Sequence, residues 1–141
     1  MIIKVNHHLQ MGHRLHRPEG KCQNLHGHTW LVTLALEGDT DSDGKVYDYG
    51  ELKRRWRGWL DEEFDHRMVL DTHDPLIERY GHGSSKQYDF ILPGLKTVPF
   101  NPTVENLAAY FLAEAIAMFG SKYTYAIELW EGKNNAATAI E

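Results

Sequence analysis

The sequence predicts an α+β domain in which an antiparallel sheet carries two helices packed on one face. Three observations lead to this prediction. Alternating apolar residues indicate strands near both ends of the chain, and two longer segments between them repeat their apolar residues at helical intervals. Consecutive strands at the start, followed by helices, favour an antiparallel sheet over a repeating β-α-β array.

The strands are predicted from residues that alternate between two faces. A first strand leads towards His13, a second covers Thr29 to Glu37, and a third lies in YTYAIELWE near the end of the chain. The apolar face of the first strand is Ile3, Val5, Leu9 and Met11, and that of the second is Trp30, Val32, Leu34 and Leu36. In the third strand the face consists of Tyr125, Ile127 and Leu129, and Glu131 ends it. The sequence GDTDSDGK after the second strand is typical of a turn.

Two amphipathic helices are predicted with their caps. Asp48 and Glu51 have the spacing of a capping box at the start of the first, and Thr103 caps the second, where Glu105 suits the positive helix end and Gly120 ends the helix. The apolar faces are Leu52, Trp56, Trp59, Leu60 and Phe64 in the first helix and Leu107, Phe111, Ala115 and Met118 in the second.

The connection from Asp71 to Asn101 is broken by Gly, Ser and Pro, and only Asp89 to Leu92 has a strand-like pattern. A connection of this length is typical of a segment that carries function or contacts a partner.

Length and composition predict one domain over residues 1–141. No apolar run approaches the roughly 20 residues of a membrane span, and the N-terminus lacks the features of a secretory signal, so we expect a cytoplasmic protein. The only cysteine, Cys22, cannot form an intramolecular disulfide.

A net charge of −5 argues against nonspecific nucleic-acid binding, which depends on a basic face. The balance reverses locally between His13 and Cys22, where three basic residues stand against one acidic residue. Arg14, Arg17 and Lys21 could hold a small anionic ligand there, or could be solvated charges of a loop.

Histidines in this region predict a metal site. His26 and His28 are two residues apart, so their imidazoles project from one face of an extended chain, and Gly27 leaves room for a ligand. His13 is the best third ligand because it ends the neighbouring predicted strand. Three imidazoles with an open fourth position are the donor set of a catalytic zinc ion.

Cys22 has three possible roles that its spacing does not separate. It could be a fourth zinc ligand, which would close the site and make it structural. It could stand near the metal as a base, or it could be a buried cysteine that acts as a small hydrophobe.

Three further residues could carry chemistry. Asp65 and His66 follow the first helix and form either an acid-base pair or a surface ion pair, and cooperation between adjacent side chains requires a turn. Glu131 ends an apolar strand face, so its carboxylate must be paired there, for example with a guanidine-like edge, unless it lies just beyond the sheet.

Five separated segments resemble the 6-pyruvoyltetrahydropterin synthase and 6-carboxytetrahydropterin synthase family. They are GHRLHRPEGKCQNLHGHTW, GKVYDYGELK, FDHRMVLD, PFNPTVENLA and ELWE, in the family's order and over most of the chain. The resemblance implies the tunnelling fold, with sheets that assemble into a multimeric barrel. It also implies a homohexamer built as a dimer of trimers, with active sites between subunits.

The resemblance also implies roles for the candidate residues. His13, His26 and His28 would bind catalytic Zn²⁺, and Cys22 would abstract a proton from the substrate. The remaining implied roles are proton relay by Asp65 and His66, binding of the pterin's amino-pyrimidine edge by Glu131, and lining of the pterin pocket by Thr103. The implied substrate is 7,8-dihydroneopterin triphosphate.

The branch of the family is indicated by the three residues between Cys22 and His26, which resemble the bacterial 6-carboxytetrahydropterin synthases of queuosine biosynthesis. Two positions depart from the family pattern: VNHHLQMGH lacks the usual aromatic residues, and WEGKNNAA lacks the threonine that commonly follows the glutamate. The alternatives are a 6-pyruvoyltetrahydropterin synthase, a structural zinc module closed by Cys22, and a thiol hydrolase that uses Cys22 and His66.

Overall fold

A six-stranded sheet and two long helices dominate the computed structural model, which describes residues 1–17, 19–80 and 94–141. The strands are β1 (Ile2–His13), β2 (His26–Glu37), β3 (Met68–Asp71), β4 (Leu95–Val98), β5 (Thr124–Glu131) and β6 (Asn135–Ile140). The helices are α1 (Tyr49–Glu63), α2 (Pro75–Tyr80) and α3 (Val104–Phe119), and Lys21–Gln23 forms a single 3-10 turn.

The order of strands across the sheet is β4-β3-β1-β2-β5-β6. The long β1-β2 pair is antiparallel and in continuous register, with Met11 opposite His28 and His13 opposite His26. On the far side of β2, Trp30 lies opposite Glu131 of β5. This register brings the ends of three strands together at one end of the sheet.

Side-chain alternation decides which face of the sheet is covered. The predicted apolar faces of β1, β2 and β5 all point towards the helices, and Trp30 and Leu34 of β2 are fully buried. Fully burying a side chain of this size contributes about 1.5–3 kcal/mol, so these faces fix the register of the sheet. On the opposite face, Lys4 and Asn6 of β1 are exposed.

Both long helices begin and end where the sequence predicts. The Asp48 side chain accepts a hydrogen bond from the Glu51 N–H, and Thr103 accepts one from Asn106 N–H. Helix α3 ends at Gly120, whose φ of 82° favours glycine. Most of the predicted core-facing residues of the two helices are buried, and Trp59 and Met118 are partly buried. The buried ones are Leu52, Trp56, Leu60, Phe64, Leu107, Phe111 and Ala115.

The sheet is mixed rather than wholly antiparallel, which refines the sequence prediction. Strand β3 pairs in parallel with β1 at Gly12 and His13, and in parallel with β4 along its whole length. The physical reason is that α1 carries the chain back across the covered face, so β3 starts beside the end of β1 and runs in the same direction.

The segment predicted as an irregular connection contains helix α2 and strand β4. The strand-like pattern at Asp89 to Leu92 lies outside the described residues. Strand β6, which was not predicted, pairs with β5 at the edge of the sheet. Among the described residues, no helix is long and apolar enough to cross a membrane.

Candidate functional site

Four side chains from three strands converge at one end of the sheet. His13 ends β1, His26 and His28 begin β2, and Glu131 ends β5. Each offers one ligand atom, and these atoms all lie within 4.8 Å of one another. Because the residues occupy the helix-facing side of their strands, the sheet register alone brings them together. Such a group could hold a metal ion.

Two backbone carbonyls orient the histidines. The Nδ1 atom of His13 lies 2.8 Å from the Pro102 carbonyl oxygen, and Nδ1 of His26 lies 2.7 Å from that of Asn24. A carbonyl only accepts hydrogen bonds, so each Nδ1 carries the proton and donates it. Each Nε2 is therefore left with a lone pair, the form in which histidines bind metals.

The buried nitrogens at the centre lack satisfactory hydrogen bonds. Nε2 of His13 and Nε2 of His28 lie 2.9 and 3.0 Å from the same Glu131 oxygen. Neither contact has hydrogen-bond geometry, so both nitrogens remain unsatisfied. Unsatisfied buried polar atoms are rare in proteins, and a metal ion is one group that would satisfy them.

The surroundings of His28 favour its neutral imidazole. Burial lowers the pKa of His28, and the neighbouring His13 and His26 lower it further, although Glu131 opposes this effect. The His13 imidazole, 2.9 Å from the carboxylate, lowers the pKa of Glu131 when it is protonated, despite the partial burial of Glu131. A neutral imidazole and an ionised carboxylate are the protonation states that bind metals.

Trp30 forms the floor of the cluster. Its ring centroid lies 5.1 Å from that of His13 and 5.6 Å from that of His28, both edge to face. The indole is fully buried and its Nε1 donates to the Met11 carbonyl at 2.9 Å. The cluster therefore rests on the hydrophobic core, which holds the imidazoles in a surrounding of low polarity.

A cleft of about 580 Å³ opens beside the cluster. His13, Glu131 and Thr103 border it, together with Asn134 of the β5-β6 turn and Asn135 at the start of β6. The cleft thus brings the predicted pocket residue Thr103 to the same site as Glu131. Its volume lies within the range of small-molecule sites, roughly 300–1,000 Å³.

Cys22 lies in the 3-10 turn between β1 and β2 and is exposed. In the described part of the chain, the four-residue metal-binding group contains Glu131 and does not contain Cys22. The thiol is therefore neither a buried hydrophobe nor a member of this four-residue group, and its role as a base stays a prediction.

Asp65 and His66 form the pair that the sequence suggested. His66 has a φ of 57°, a left-handed conformation that is uncommon outside glycine, and this turn brings its Nδ1 within 2.6 Å of the Asp65 carboxylate. The backbone N–H of Gln10 donates to Asp65, and the carbonyl of Gln10 accepts from His66. His66 and His28 border one open cleft of about 540 Å³.

The environment of Asp65 keeps its carboxylate ionised. Burial raises its pKa, but hydrogen bonds from the Gln10 N–H and from His66 outweigh this effect, and the resulting pKa lies below the usual value. The ionised carboxylate holds the His66 proton on Nδ1. The His66 side chain is 78% exposed, so its Nε2 is available for proton transfer.

Sequence reasoning missed three features of the site. The carbonyls of Pro102 and Asn24 carry no side-chain signal, and Trp30 was identified only as a core residue. Arg14 was grouped with Arg17 and Lys21 as a possible anion site, but its guanidinium binds the buried carboxylate of Asp74 at 2.8 Å. Arg14 is therefore already paired within the protein.

Comparison with known proteins shows which family the sequence matches. The family model described as 6-pyruvoyl tetrahydropterin synthase matches residues 2–141. The chain is 35% identical over 104 residues to the 6-carboxy-5,6,7,8-tetrahydropterin synthase of Rickettsia bellii, covering 73% of this chain and 71% of the relative. It is 31% identical over 127 residues to the Rickettsia conorii protein of the same name, covering 87% and 88%.

A solved structure shows the same fold. The 6-pyruvoyl tetrahydropterin synthase of Plasmodium falciparum superimposes with a TM-score of 0.76 at 17% identity, and the match covers 100% of this chain and 97% of the other. The mixed sheet with two long helices is thus the tunnelling fold. The chain belongs to the 6-pyruvoyl tetrahydropterin synthase family, a family of lyase-type enzymes.

Proposed function

We propose that this protein converts 7,8-dihydroneopterin triphosphate and water to 6-carboxy-5,6,7,8-tetrahydropterin, acetaldehyde and triphosphate, in the biosynthesis of queuosine and related 7-deazapurines. The observation that carries the proposal is the convergence of His13, His26 and His28 beside the cleft bordered by Thr103 and Glu131. Relatives named for the 6-carboxy product support this branch. We further propose that residues 1–141 act as one cytoplasmic domain.

Zn²⁺ is the metal that we propose for the cluster, with His13, His26 and His28 as its ligands. Three neutral imidazoles suit zinc and leave a position for substrate. The lone pairs left on Nε2 by the two carbonyl contacts support this choice. When bound, zinc supplies a Lewis acid that polarises a hydroxyl group of the substrate side chain.

Cys22 is the proposed base. Its thiolate removes a proton from a side-chain carbon of the substrate and becomes a thiol. His66 exchanges protons through Nε2 on the other side of the reacting carbons, and Asp65 keeps its imidazole in the required tautomer. The exposed positions of Cys22 and His66 leave both able to meet a substrate.

Glu131 is the proposed anchor for the amino-pyrimidine edge of the pterin, and Thr103 lines the same pocket. That edge presents N–H groups, which a carboxylate accepts as paired, charge-assisted hydrogen bonds. Glu131 borders the cleft and is kept ionised by its surroundings, which supports this role. On binding, its contacts with the histidines would be exchanged for contacts with the substrate.

We propose a homohexamer in which Asp65 and His66 of one subunit complete a site that contains Cys22 of another. Mixing tests this arrangement directly. Cys22→Ala and His66→Ala variants, each inactive alone, are expected to regain part of the activity when dissociated and reassembled together. A mixture that stays inactive although mass analysis shows mixed oligomers would place both residues in one subunit's site.

The main experiment incubates zinc-loaded protein with 7,8-dihydroneopterin triphosphate and identifies products by mass spectrometry. Formation of 6-carboxy-5,6,7,8-tetrahydropterin with acetaldehyde is expected. Formation of 6-pyruvoyl tetrahydropterin with triphosphate would instead identify the second candidate activity, which the name of the matched family supports. No turnover by protein with a full complement of zinc would contradict both.

The effect of Cys22→Ala distinguishes a structural zinc module from the proposed enzyme. If the thiol closed a structural tetrahedron, Cys22→Ala would lose zinc and unfold. The proposed enzyme keeps zinc and fold in this variant and loses turnover. A thiol hydrolase would instead form a covalent adduct on Cys22, which intact-mass measurement during turnover detects.

A further inference from the structure

Arg14 joins three separate parts of the chain at the edge of the metal site. It directly follows His13 at the end of β1. Its Nε donates to the Asp74 carboxylate at 2.8 Å, and its Nη1 donates to the Gln23 carbonyl at 3.0 Å. The Arg14 side chain is 17% exposed and Asp74 is fully buried. One guanidinium therefore connects the metal-binding strand, the Cys22 turn and the start of α2.

Asp74 holds the guanidinium in place. One carboxylate oxygen accepts from Arg14 and the other from the Leu76 N–H at the start of α2, at 2.8 Å. The Asp74 backbone N–H also donates to the Asp71 carbonyl. A buried carboxylate with both oxygens bound is rigid, and removing its cation would leave an uncompensated buried charge. The orientation of Arg14 is thus set by the fold.

The Cys22 turn depends on few contacts. None of the residues in the 3-10 turn is buried, so hydrophobic packing does not fix it. The Leu15 N–H donates to the Cys22 carbonyl at 2.8 Å, and Arg14 binds the next carbonyl, that of Gln23. Two successive carbonyls are therefore attached to the two residues that follow the metal ligand His13.

We propose that Arg14 is a positioning residue that fixes the Cys22 turn relative to the metal-binding strand. This inference rests on the proposed function of Cys22 as the base. A lysine cannot replace the guanidinium, because its single ammonium lacks the fixed fork that reaches a carboxylate and a carbonyl together. Arg14→Lys therefore keeps the charge beside Asp74 and releases the turn.

The test compares Arg14→Lys with Arg55→Lys, a matched control. Arg55 is also partly buried and donates to a backbone carbonyl, but it lies on α1 and its bond to Met118 connects this helix to α3. Zinc content and circular dichroism are expected to be unchanged in both variants. In Arg14→Lys, kcat is expected to fall about 100-fold with little change in KM, as for a misplaced catalytic group.

Hydrogen–deuterium exchange gives a readout that does not depend on activity. The Leu15 amide should exchange about tenfold faster in Arg14→Lys, because its bond to the Cys22 carbonyl is weakened, whereas amides of α3 should keep their protection. Guanidinium at a sub-denaturing concentration should partly restore kcat in Arg14→Ala. If Arg14→Lys does not fold, Asp74→Asn, which retains the acceptor for the Leu76 N–H, takes its place.

Two results would overturn the proposal. One is unchanged exchange at Leu15, which would mean that Arg14 does not hold the turn. The other is faster exchange with kcat equal to that of the Arg55→Lys control, which would reduce Arg14 to a structural role. A protein without pterin turnover would contradict the function proposed for Cys22, and the exchange at Leu15 would still decide whether Arg14 holds the turn.

Discussion

Replacing Glu131 by glutamine separates the two roles that its position allows. The carboxylate lies about 3 Å from the imidazoles of His13 and His28, so it could act as a fourth metal ligand. It also borders the cleft proposed for the pterin. Glutamine keeps the shape of the side chain but replaces one acceptor oxygen by an N–H donor, which would face the N–H groups of the pterin edge.

The expected magnitude follows from the lost hydrogen bonds. A hydrogen bond to a charged group contributes roughly 1.5–3 kcal/mol. At about 1.4 kcal/mol per factor of ten, kcat/KM should fall roughly 10–150-fold in Glu131→Gln. Zinc content should not change, because three imidazoles remain and two of them stay oriented by carbonyls of Pro102 and Asn24.

The assay combines metal analysis of the purified protein with steady-state kinetics measured before and after zinc is added to saturation. Glu128→Gln is the matched control, because Glu128 lies on the same strand and its carboxylate accepts an exposed hydrogen bond from Trp130 Nε1 at 2.7 Å. The control should retain both zinc and kcat/KM. The reasoning is refuted if Glu131→Gln loses zinc in proportion to activity and recovers normal kinetics when zinc is added in excess.

Three further predictions concern Cys22, Asp71 and Asp48. Cys22→Ala should lose about 10²–10⁴-fold in kcat while keeping zinc and its melting temperature, and normal turnover would exclude Cys22 as the base. Burial raises the pKa of Asp71, but hydrogen bonds from the His73 N–H and from His16 outweigh it and lower the pKa below its usual value. The contribution of Asp71 to stability should therefore be complete at neutral pH and should be lost as acid protonates the carboxylate. Asp71→Asn should flatten this loss in urea unfolding measured from pH 6 to pH 3, and an unchanged slope would contradict the assignment. Asp48→Ala should reduce the free energy of unfolding by about 1 kcal/mol through loss of the α1 cap, and Asp48→Asn should restore most of it.

Patterns that repeat over many residues allowed the longer elements to be predicted. Strand β2 alternates through Trp30 and Leu36, and helices α1 and α3 each carry a capping residue and an apolar face. Short elements gave no such pattern. Strands β3 and β4 have four residues each, too few for periodicity to distinguish them from a loop. The alanine-rich β6 offers little apolar contrast between its two faces.

The parallel pairing of β3 also lay beyond the sequence pattern. Local alternation identifies a strand but not its neighbour, and here the neighbour was decided by the path of α1 across the sheet. For the functional residues too, the sequence indicates which residues take part, and the fold decides their geometry. The pair of Asp65 and His66 was visible as adjacent letters, but its geometry depends on the left-handed conformation of His66.

By itself the sequence determined the chemistry available to this protein: His13, His26 and His28 at strand ends, a single thiol at Cys22, and Glu131 at the end of an apolar face. Residue type and short-range spacing are sufficient for such inferences, because strand alternation sets which neighbours share a face.

Only the tertiary structure decided how these groups meet. It brought Glu131 to the histidines across more than one hundred residues of sequence, set the Nδ1 proton of His13 through the carbonyl of Pro102, and paired Arg14 with Asp74. Backbone carbonyls and long-range ion pairs leave no periodic trace in a sequence, since their partners are selected by packing of the whole chain.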